Sequence, residues 1–309
     1  MAMVLISKTQ DGAKWRRIMA ELAPDIDFRV WPDVGAPEDI EMAITWKHPP
    51  GALTGFANLK CICSLGQGVD HLFLDPELPV GVPIVRLVDS SMKRQMSAFV
   101  LAAVLRHHTH AAGYARLQAE RRWQALAAAD PADLCVGVMG LGALGSDLAV
   151  KLVALNFKVM GWSRGPKALR EVESFVGDAS LNEFLVHCDI VCCLLPLTTD
   201  TRDILDARRL AAMKKGAYLI NTARGPHVDE AALIEALDDG HLAGAALDVF
   251  RQEPLPADNP LWRHPKVTVT PHVSAVTVAT SSAPQIVDNY RRLRAGKPLL
   301  NLIDRERQY

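Results

Sequence analysis

No uninterrupted apolar run in this chain approaches bilayer length, so a membrane-spanning helix is not expected. Nor does one sign of charge dominate. Lys plus Arg (34) almost balances Asp plus Glu (35), and no basic run or basic-aromatic array offers a footprint for a phosphate backbone, which argues against nucleic acid as a partner. There is no C-x-x-C. Cys61, Cys63, Cys135, Cys188, Cys192 and Cys193 fall mostly in apolar, strand-like segments, where reduced, buried thiols are expected. The adjacent Cys192 and Cys193 should point to opposite faces of their strand, poor geometry for a shared metal. His107 and His110 could share a helix face, but no third ligand is evident; no metal is expected, and solvated or interface histidines are the alternative reading. Met1 to Ser7 lacks a basic n-region and a cleavage signature and reads as a first core strand, while the reduced cysteines make a cytoplasmic setting the expectation. No repeat of solenoid period is present.

What the chain does have is GVMGLGALG, Gly137 to Gly145, with four glycines between an apolar stretch and a helix-like one. Leu134 to Met139 reads as a short buried strand, and Leu144, Leu148, Leu152 and Leu155 recur at helical spacing. In a strand-turn-helix unit of this kind, Gly140 permits the turn, Gly142 lets a pyrophosphate approach the main chain, and Gly145 lets helix and strand pack closely. The helix N-terminus then offers free N–H groups to the anion. An ordinary glycine-rich turn is the competing explanation.

A chain of 309 residues suggests two domains. Apolar segments alternate with helix-like ones throughout, the pattern of parallel sheets wound by crossover helices. In the first system, strands are expected at Met3–Ser7, Phe28–Trp31, Met42–Trp46, Lys60–Ser64 and Pro83–Leu87. Met96, Phe99, Val100, Ala103 and Val104 then form the stripe of a long helix bridging the two systems. Tyr114 to Trp123, with several arginines, reads as a solvated arm or a subunit contact. Six strands are expected in the second system: Cys135–Gly140, Lys158–Trp162, Ile190–Leu195, Ala217–Thr222, Ala243–Val249 and Val267–Thr270. A last helix carrying Ile286, Tyr290 and Leu293 should stop near Gly296.

About 20 residues after a dinucleotide glycine loop, NAD-selective folds usually carry an acid for the adenosine ribose. This chain has Ser163 and Arg164 there instead. A guanidinium pairs with a 2'-phosphate and stacks on adenine, so NADP(H) is expected over NAD(H), with an exposed arginine as the alternative. Arg224, Glu253 and His272 each follow a strand of the second system, and ligands in open parallel sheets bind beyond the carboxyl ends of strands. Singly, each has a dull explanation as a surface or loop residue. Together they form the set that reversible hydride transfer to a 2-oxo acid requires. Arg224 would fork onto the substrate carboxylate and polarise the carbonyl. His272 would give the proton, and a carboxylate such as Glu253 beside an imidazole favours its protonated form.

The sequence resembles the D-isomer-specific 2-hydroxyacid dehydrogenases. The matching pieces are SLGQGVDHL (64–72), GLGALG (140–145), CCLLPLTTDTR (192–202), INTARG (220–225), ALDVFRQEPLP (246–256) and VTPHVS (269–274), in order along almost the entire chain. The resemblance implies an α/β protein of two Rossmann-like or flavodoxin-like domains with parallel, doubly wound sheets. The substrate domain would be discontinuous, residues 1–93 plus 282–309, around a dinucleotide-binding domain at 94–281. Its two chain crossings would serve as a hinge, whose closure expels water. Carried over residue by residue, the resemblance implies Arg224, Glu253 and His272 as the catalytic set and main-chain N–H groups of Gln67 and Gly68 for the substrate carboxylate. It also implies Gly140, Gly142, Ala143, Leu144, Gly145, Ser163, Arg164, Leu195, Pro196, Thr222, Ala223, Asp248 and Ser274 on the cofactor. Within the family, WSR at 162–164, TWKHPPG at 45–51 and the tail NLIDRERQY look most like the glyoxylate/hydroxypyruvate reductases. Trp46 and Lys47 would then overhang the substrate, with a core tryptophan and a solvated lysine as the alternative. Where relatives often carry Glu on the bridging helix this chain has Ala98, so no role is inferred there. A homodimer is implied. The competing implication from another class is a nucleotide-sensing, corepressor-like binding protein on the same fold.

Overall fold

The computed structural model describes residues 1–309 as two compact units, Met1–Met92 with Thr277–Tyr309, and Lys93–Val276. The first unit is built on a five-stranded parallel sheet, β1 (Ala2–Ser7), β2 (Asp27–Val30), β3 (Ile40–Trp46), β4 (Cys61–Ser64) and β5 (Ile84–Arg86), in the order β2-β1-β3-β4-β5. That order reverses between β1 and β3, which makes the loops after Ser7 and Trp46 the mouth of its switch point. The three central strands β1, β3 and β4 are buried on both faces and read as apolar runs rather than alternations, as parallel strands covered by helices do. Helix α1 (Gly12–Leu22), capped by Asp11 through the Lys14 N–H, and the C-terminal helix Ala279–Arg294 cover one face through Trp15, Met19, Ile286 and Tyr290.

The chain leaves the first unit on α2 (Ser90–His108), whose Met96, Val100 and Val104 form the expected buried stripe. It continues through α3 (Ala111–Ala119) into an arm in which Trp123 is fully exposed. The second unit contains seven strands where six are expected from the sequence: β6 (Cys135–Met139), β7 (Lys158–Ser163), β8 (Val172–Val176), β9 (Ile190–Cys193), β10 (Tyr218–Asn221), β11 (Gly244–Leu247) and β12 (Val267–Val269). The additional strand, β8, lies at the sheet edge, pairs with β7 alone and buries only Phe175, so it carries almost no apolar signal. All pairings are parallel and the order is β12-β11-β10-β9-β6-β7-β8, reversing between β6 and β9. Helix α4 (Ala143–Ala154) follows β6 directly.

The three histidines near the end of α2 do not gather on an ion. The His107 ring stacks on Tyr218 with centroids 4.1 Å apart, and His108 meets Phe157 edge-on. Burial, then the neighbouring His110 and His108, pushes His107 from an ordinary 6.5 down to about 4. Because the folded value lies below the unfolded one, its contribution to stability is complete above about pH 6.5 and is lost progressively as pH falls towards 4. His107→Phe keeps an aromatic ring on Tyr218 and should flatten the fall of the melting temperature across that window. An unchanged acid slope would contradict this.

Candidate active site

The four glycines of the first quoted motif have separate structural reasons. A Cβ on Gly137 would strike Phe184 and Cys188 in the core. Gly140 turns the chain at φ +101°, where its Cβ position lies 2.9 Å from the Leu194 carbonyl oxygen. A Cβ on Gly145 would collide with the Gly140 carbonyl, so only glycine lets the first turn of α4 sit on the loop. Gly142 is different: no protein atom lies within 4 Å of its Cβ position. Nothing in the fold requires a glycine there, which is what an approach path for a ligand looks like. Gly142 is also the N-cap of α4 and gives it no side-chain cap, which leaves first-turn N–H groups for an anion. In the same unit, the Thr222 hydroxyl is buried without a hydrogen-bond partner. An open glycine cradle, an uncapped helix start and an orphaned hydroxyl fit a bound dinucleotide.

At the end of β7, Ser163 is buried and its hydroxyl donates to the Gly165 carbonyl at 2.7 Å, while Arg164 is exposed. On the other side of the switch point, Leu195 is buried and the Pro196 carbonyl accepts from the Thr201 hydroxyl at 2.7 Å.

His272 and Glu253 meet: His272 Nδ1 lies 2.8 Å from Glu253 Oε2, both side chains about a quarter exposed. The other carboxylate oxygen, Oε1, accepts the Phe250 N–H at 3.2 Å, so the carboxylate is held from two sides. His272 stands in the left-handed region at φ +55°, an uncommon conformation for a histidine. Buried Asp248 maintains it. Its Oδ1 accepts from the Thr270 hydroxyl (2.7 Å) and the Val273 N–H (2.9 Å), its Oδ2 accepts the Ser274 N–H (2.9 Å), and its carbonyl accepts the His272 N–H (2.8 Å). Four bonds from one residue thus fix the turn that presents the imidazole, and account for both Asp248 and the Ser274 main chain.

Arg224 follows β10 on a loop that Asn221 closes, accepting the Ala223 N–H and donating to the Arg224 carbonyl. The next residue, Gly225, lies against the Phe250 and Arg251 backbone so closely that a Cβ would collide with both. The loop carrying Arg224 is thereby pressed onto the loop carrying Glu253. Sequence reasoning missed His227, which has no exposed surface. Protonated on Nε2, it donates to the Pro196 carbonyl (3.2 Å) and accepts the Arg224 N–H at Nδ1 (3.2 Å), tying the β9 loop to the arginine. The sequence gives it no signal beyond its place between Pro226 and the Asp229 cap of the helix Glu230–Asp238, and Asn221 lay unremarked within INTARG.

In the first unit, Trp46 and Lys47 end β3, and Gln67 and Gly68 follow β4. Trp46 packs its indole over Gly66, where any Cβ would collide with it, and meets His71 edge-on with centroids 4.6 Å apart. Lys47 is exposed with φ +49°. The N–H groups of Gln67 and Gly68 donate to no acceptor in the protein, so two adjacent donors are available beyond the strand ends. No group of histidine, cysteine and acidic side chains in the chain is arranged to hold a metal ion, and no helix is long and apolar enough to cross a membrane.

An imidazole-carboxylate pair, an arginine on the adjoining loop and a glycine cradle, all at the carboxyl ends of one parallel sheet, constitute the architecture of a nicotinamide-dependent oxidoreductase. Comparison with known proteins agrees. Residues 101–274 match the NAD binding domain of the D-isomer specific 2-hydroxyacid dehydrogenases. Glyoxylate/hydroxypyruvate reductase A of Photorhabdus laumondii is 39% identical over 299 residues, 95% of each chain. Among solved structures, a D-isomer specific 2-hydroxyacid dehydrogenase of Xanthobacter autotrophicus in complex with NADPH and MES superimposes with a TM-score of 0.97 at 44% identity, covering 100% of this chain and 99% of the other. The NADPH-dependent glyoxylate/hydroxypyruvate reductase of Sinorhizobium meliloti, in complex with NADP and sulfate, gives 0.94 at 34% identity, covering 100% of both. With its sheet order, its glycine cradle and its matches from end to end in accord, the chain belongs to the D-isomer-specific 2-hydroxyacid dehydrogenases.

Proposed function

We propose that the protein reduces a small 2-oxo acid of the glyoxylate or hydroxypyruvate type to the D-2-hydroxy acid, with NADPH as hydride donor and His272 as proton donor. The observation that carries this reading is the 2.8 Å pair of His272 and Glu253 on a turn that Asp248 makes rigid. When bound, the reduced nicotinamide supplies a hydride to the substrate carbonyl. Negative charge then develops on the carbonyl oxygen. His272 gives that oxygen a proton, and Glu253, bonded to the opposite ring nitrogen, fixes the ring and balances its charge. In the reverse direction the neutral imidazole takes the hydroxyl proton. Arg224 forks onto the carboxylate and polarises the carbonyl. The unengaged N–H groups of Gln67 and Gly68 supply further carboxylate donors from the first unit, the substrate domain; Lys47 and Trp46 border them.

Ala143, Leu144 and the glycines of the α4 loop hold the pyrophosphate; Leu195, Pro196, Thr222 and Ala223 line the nicotinamide side; Ser163 and Arg164 receive the 2'-phosphate. The relatives bound to NADPH and NADP support that last role, as does the exposed guanidinium at the end of β7. With glyoxylate as substrate, kcat/KM for NADPH should exceed that for NADH, and Arg164→Ala should mainly raise the KM for NADPH. A higher value for NADH would overturn the cofactor preference. Absence of turnover with glyoxylate, hydroxypyruvate, pyruvate and phenylpyruvate would overturn the reductase reading. The exposed Tyr114 and Trp123 on α3 and its arm support a homodimer, and six unpaired cysteines support a cytoplasmic setting.

A further inference from the structure

The penultimate residue of SLGQGVDHL is a histidine, His71, with no role in the chemistry above. His71 is buried, and its two ring nitrogens face two different loops. Nε2 lies 3.0 Å from the Ser64 hydroxyl, and Nδ1 lies 3.4 Å from the main-chain N of Lys47. Ser64 extends the link: its hydroxyl donates to the Gly68 carbonyl at 3.1 Å and accepts the Gly66 N–H at 3.1 Å. One proton arrangement satisfies these four bonds together. With His71 protonated on Nε2, that N–H donates to Ser64 Oγ, leaving the hydroxyl proton for Gly68 and the Nδ1 lone pair for the Lys47 N–H.

The groups joined in this way are the ones least able to hold themselves. Lys47 occupies the left-handed region without being glycine, a conformation that persists only where the surroundings impose it. On its far side the buried His48 Nε2 bonds Asp75 Oδ2 at 3.0 Å, and Asp75 accepts the Gly51 N–H, so the loop after Lys47 is anchored as well. The Gln67–Gly68 segment donates none of its own N–H groups to the protein and depends on its flanks: the Ser64 bonds, the Leu87 N–H to the Gly66 carbonyl, and the Thr277 hydroxyl to the Leu65 carbonyl.

We propose that His71 is a positioning residue for the substrate carboxylate: its imidazole locks the Lys47 main chain to Ser64, and through Ser64 sets the direction of the Gln67 and Gly68 N–H pair. The inference rests on the reductase reading, in which that pair receives the carboxylate. His71 touches neither substrate nor cofactor. Its loss therefore acts on capture of the 2-oxo acid, and leaves the glycine cradle and the proton donor of the second unit as they were.

The test is steady-state kinetics of His71→Ala, His71→Asn, His71→Gln and Ser64→Ala with glyoxylate and NADPH. His71→Ala should raise the KM for glyoxylate roughly tenfold to a hundredfold, as expected for losing one or two bonds that orient the acceptor site, with kcat and the KM for NADPH near wild type. Asparagine can replace the Nδ1 acceptor and glutamine the Nε2 donor, so each should recover part of the loss. Adding Ser64→Ala to His71→Ala should cost less than the sum of the two alone. An unchanged KM for glyoxylate in His71→Ala, or a fall in kcat together with a rise in both KM values in the asparagine and glutamine variants, would overturn the proposal. Hydrogen exchange without substrate tests the link independently of turnover: the Lys47 amide should exchange faster in His71→Gln, which lacks its acceptor, and the Gly66 amide faster in His71→Asn, which frees the Ser64 hydroxyl, than in wild type, and equal rates would overturn it. A wild type that reduces no 2-oxo acid would instead sink the reductase reading, leaving the exchange result to stand or fall alone.

Discussion

His272→Asn is expected to lower kcat by roughly a hundredfold to ten-thousandfold, the range contributed by a positioned general acid, with little change in NADPH affinity. Asparagine is the informative replacement because it tolerates the left-handed conformation at φ +55° and can still bond Glu253 from about the position of Nδ1. It has no proton to give at neutral pH. Backbone, loop and carboxylate are kept while the acid is removed, so loss of turnover can be assigned to proton transfer. The NADPH dissociation constant, read by quenching of protein fluorescence, separates the two functions. Unchanged kcat would take the histidine out of the mechanism.

The second large effect is expected at a residue with no functional group. Gly225→Ala places a methyl group into the Phe250 carbonyl and the Arg251 nitrogen, main-chain atoms that cannot swing aside. The loop of Arg224 must then separate from the loop of Glu253. A displacement of about 1 Å in a catalytic array costs on the order of a hundredfold, so kcat/KM should fall by at least that much, with a lower melting temperature. Gly142→Ala is the contrasting case. Its Cβ meets no protein atom and its φ of −78° suits alanine, so the fold should melt near wild type while the KM for NADPH rises. If Gly225→Ala retained wild-type kcat/KM, the close apposition of the two loops would be irrelevant to catalysis.

Elements that bury apolar residues were legible in the sequence, and those that do not were hidden. The strands of both sheets carry runs such as Met3–Ile6 and Ile190–Cys193, which have few other readings between turn signals. β8 has one buried side chain in five and is a strand only because β7 pairs with it. The candidate site divides the same way. Arg224, Glu253 and His272 could be picked out because each is an ionisable residue just past an apolar strand. His227 bonds the Pro196 carbonyl and the Arg224 N–H, Asn221 closes its own loop, and His71 faces the Ser64 hydroxyl and the Lys47 N–H; no apolar pattern along the chain announces such partners. Asp248 was visible as a member of a motif, but its work in holding the His272 turn emerges only from the four bonds it makes.

The most direct measurement follows the hydride itself. Reduction of hydroxypyruvate by NADPH carrying deuterium at both C4 positions of the nicotinamide should yield a 2-hydroxy acid of D configuration with one deuterium on C2, by mass spectrometry and chiral chromatography. Label absent from C2, or a product of the opposite hand, would contradict the account.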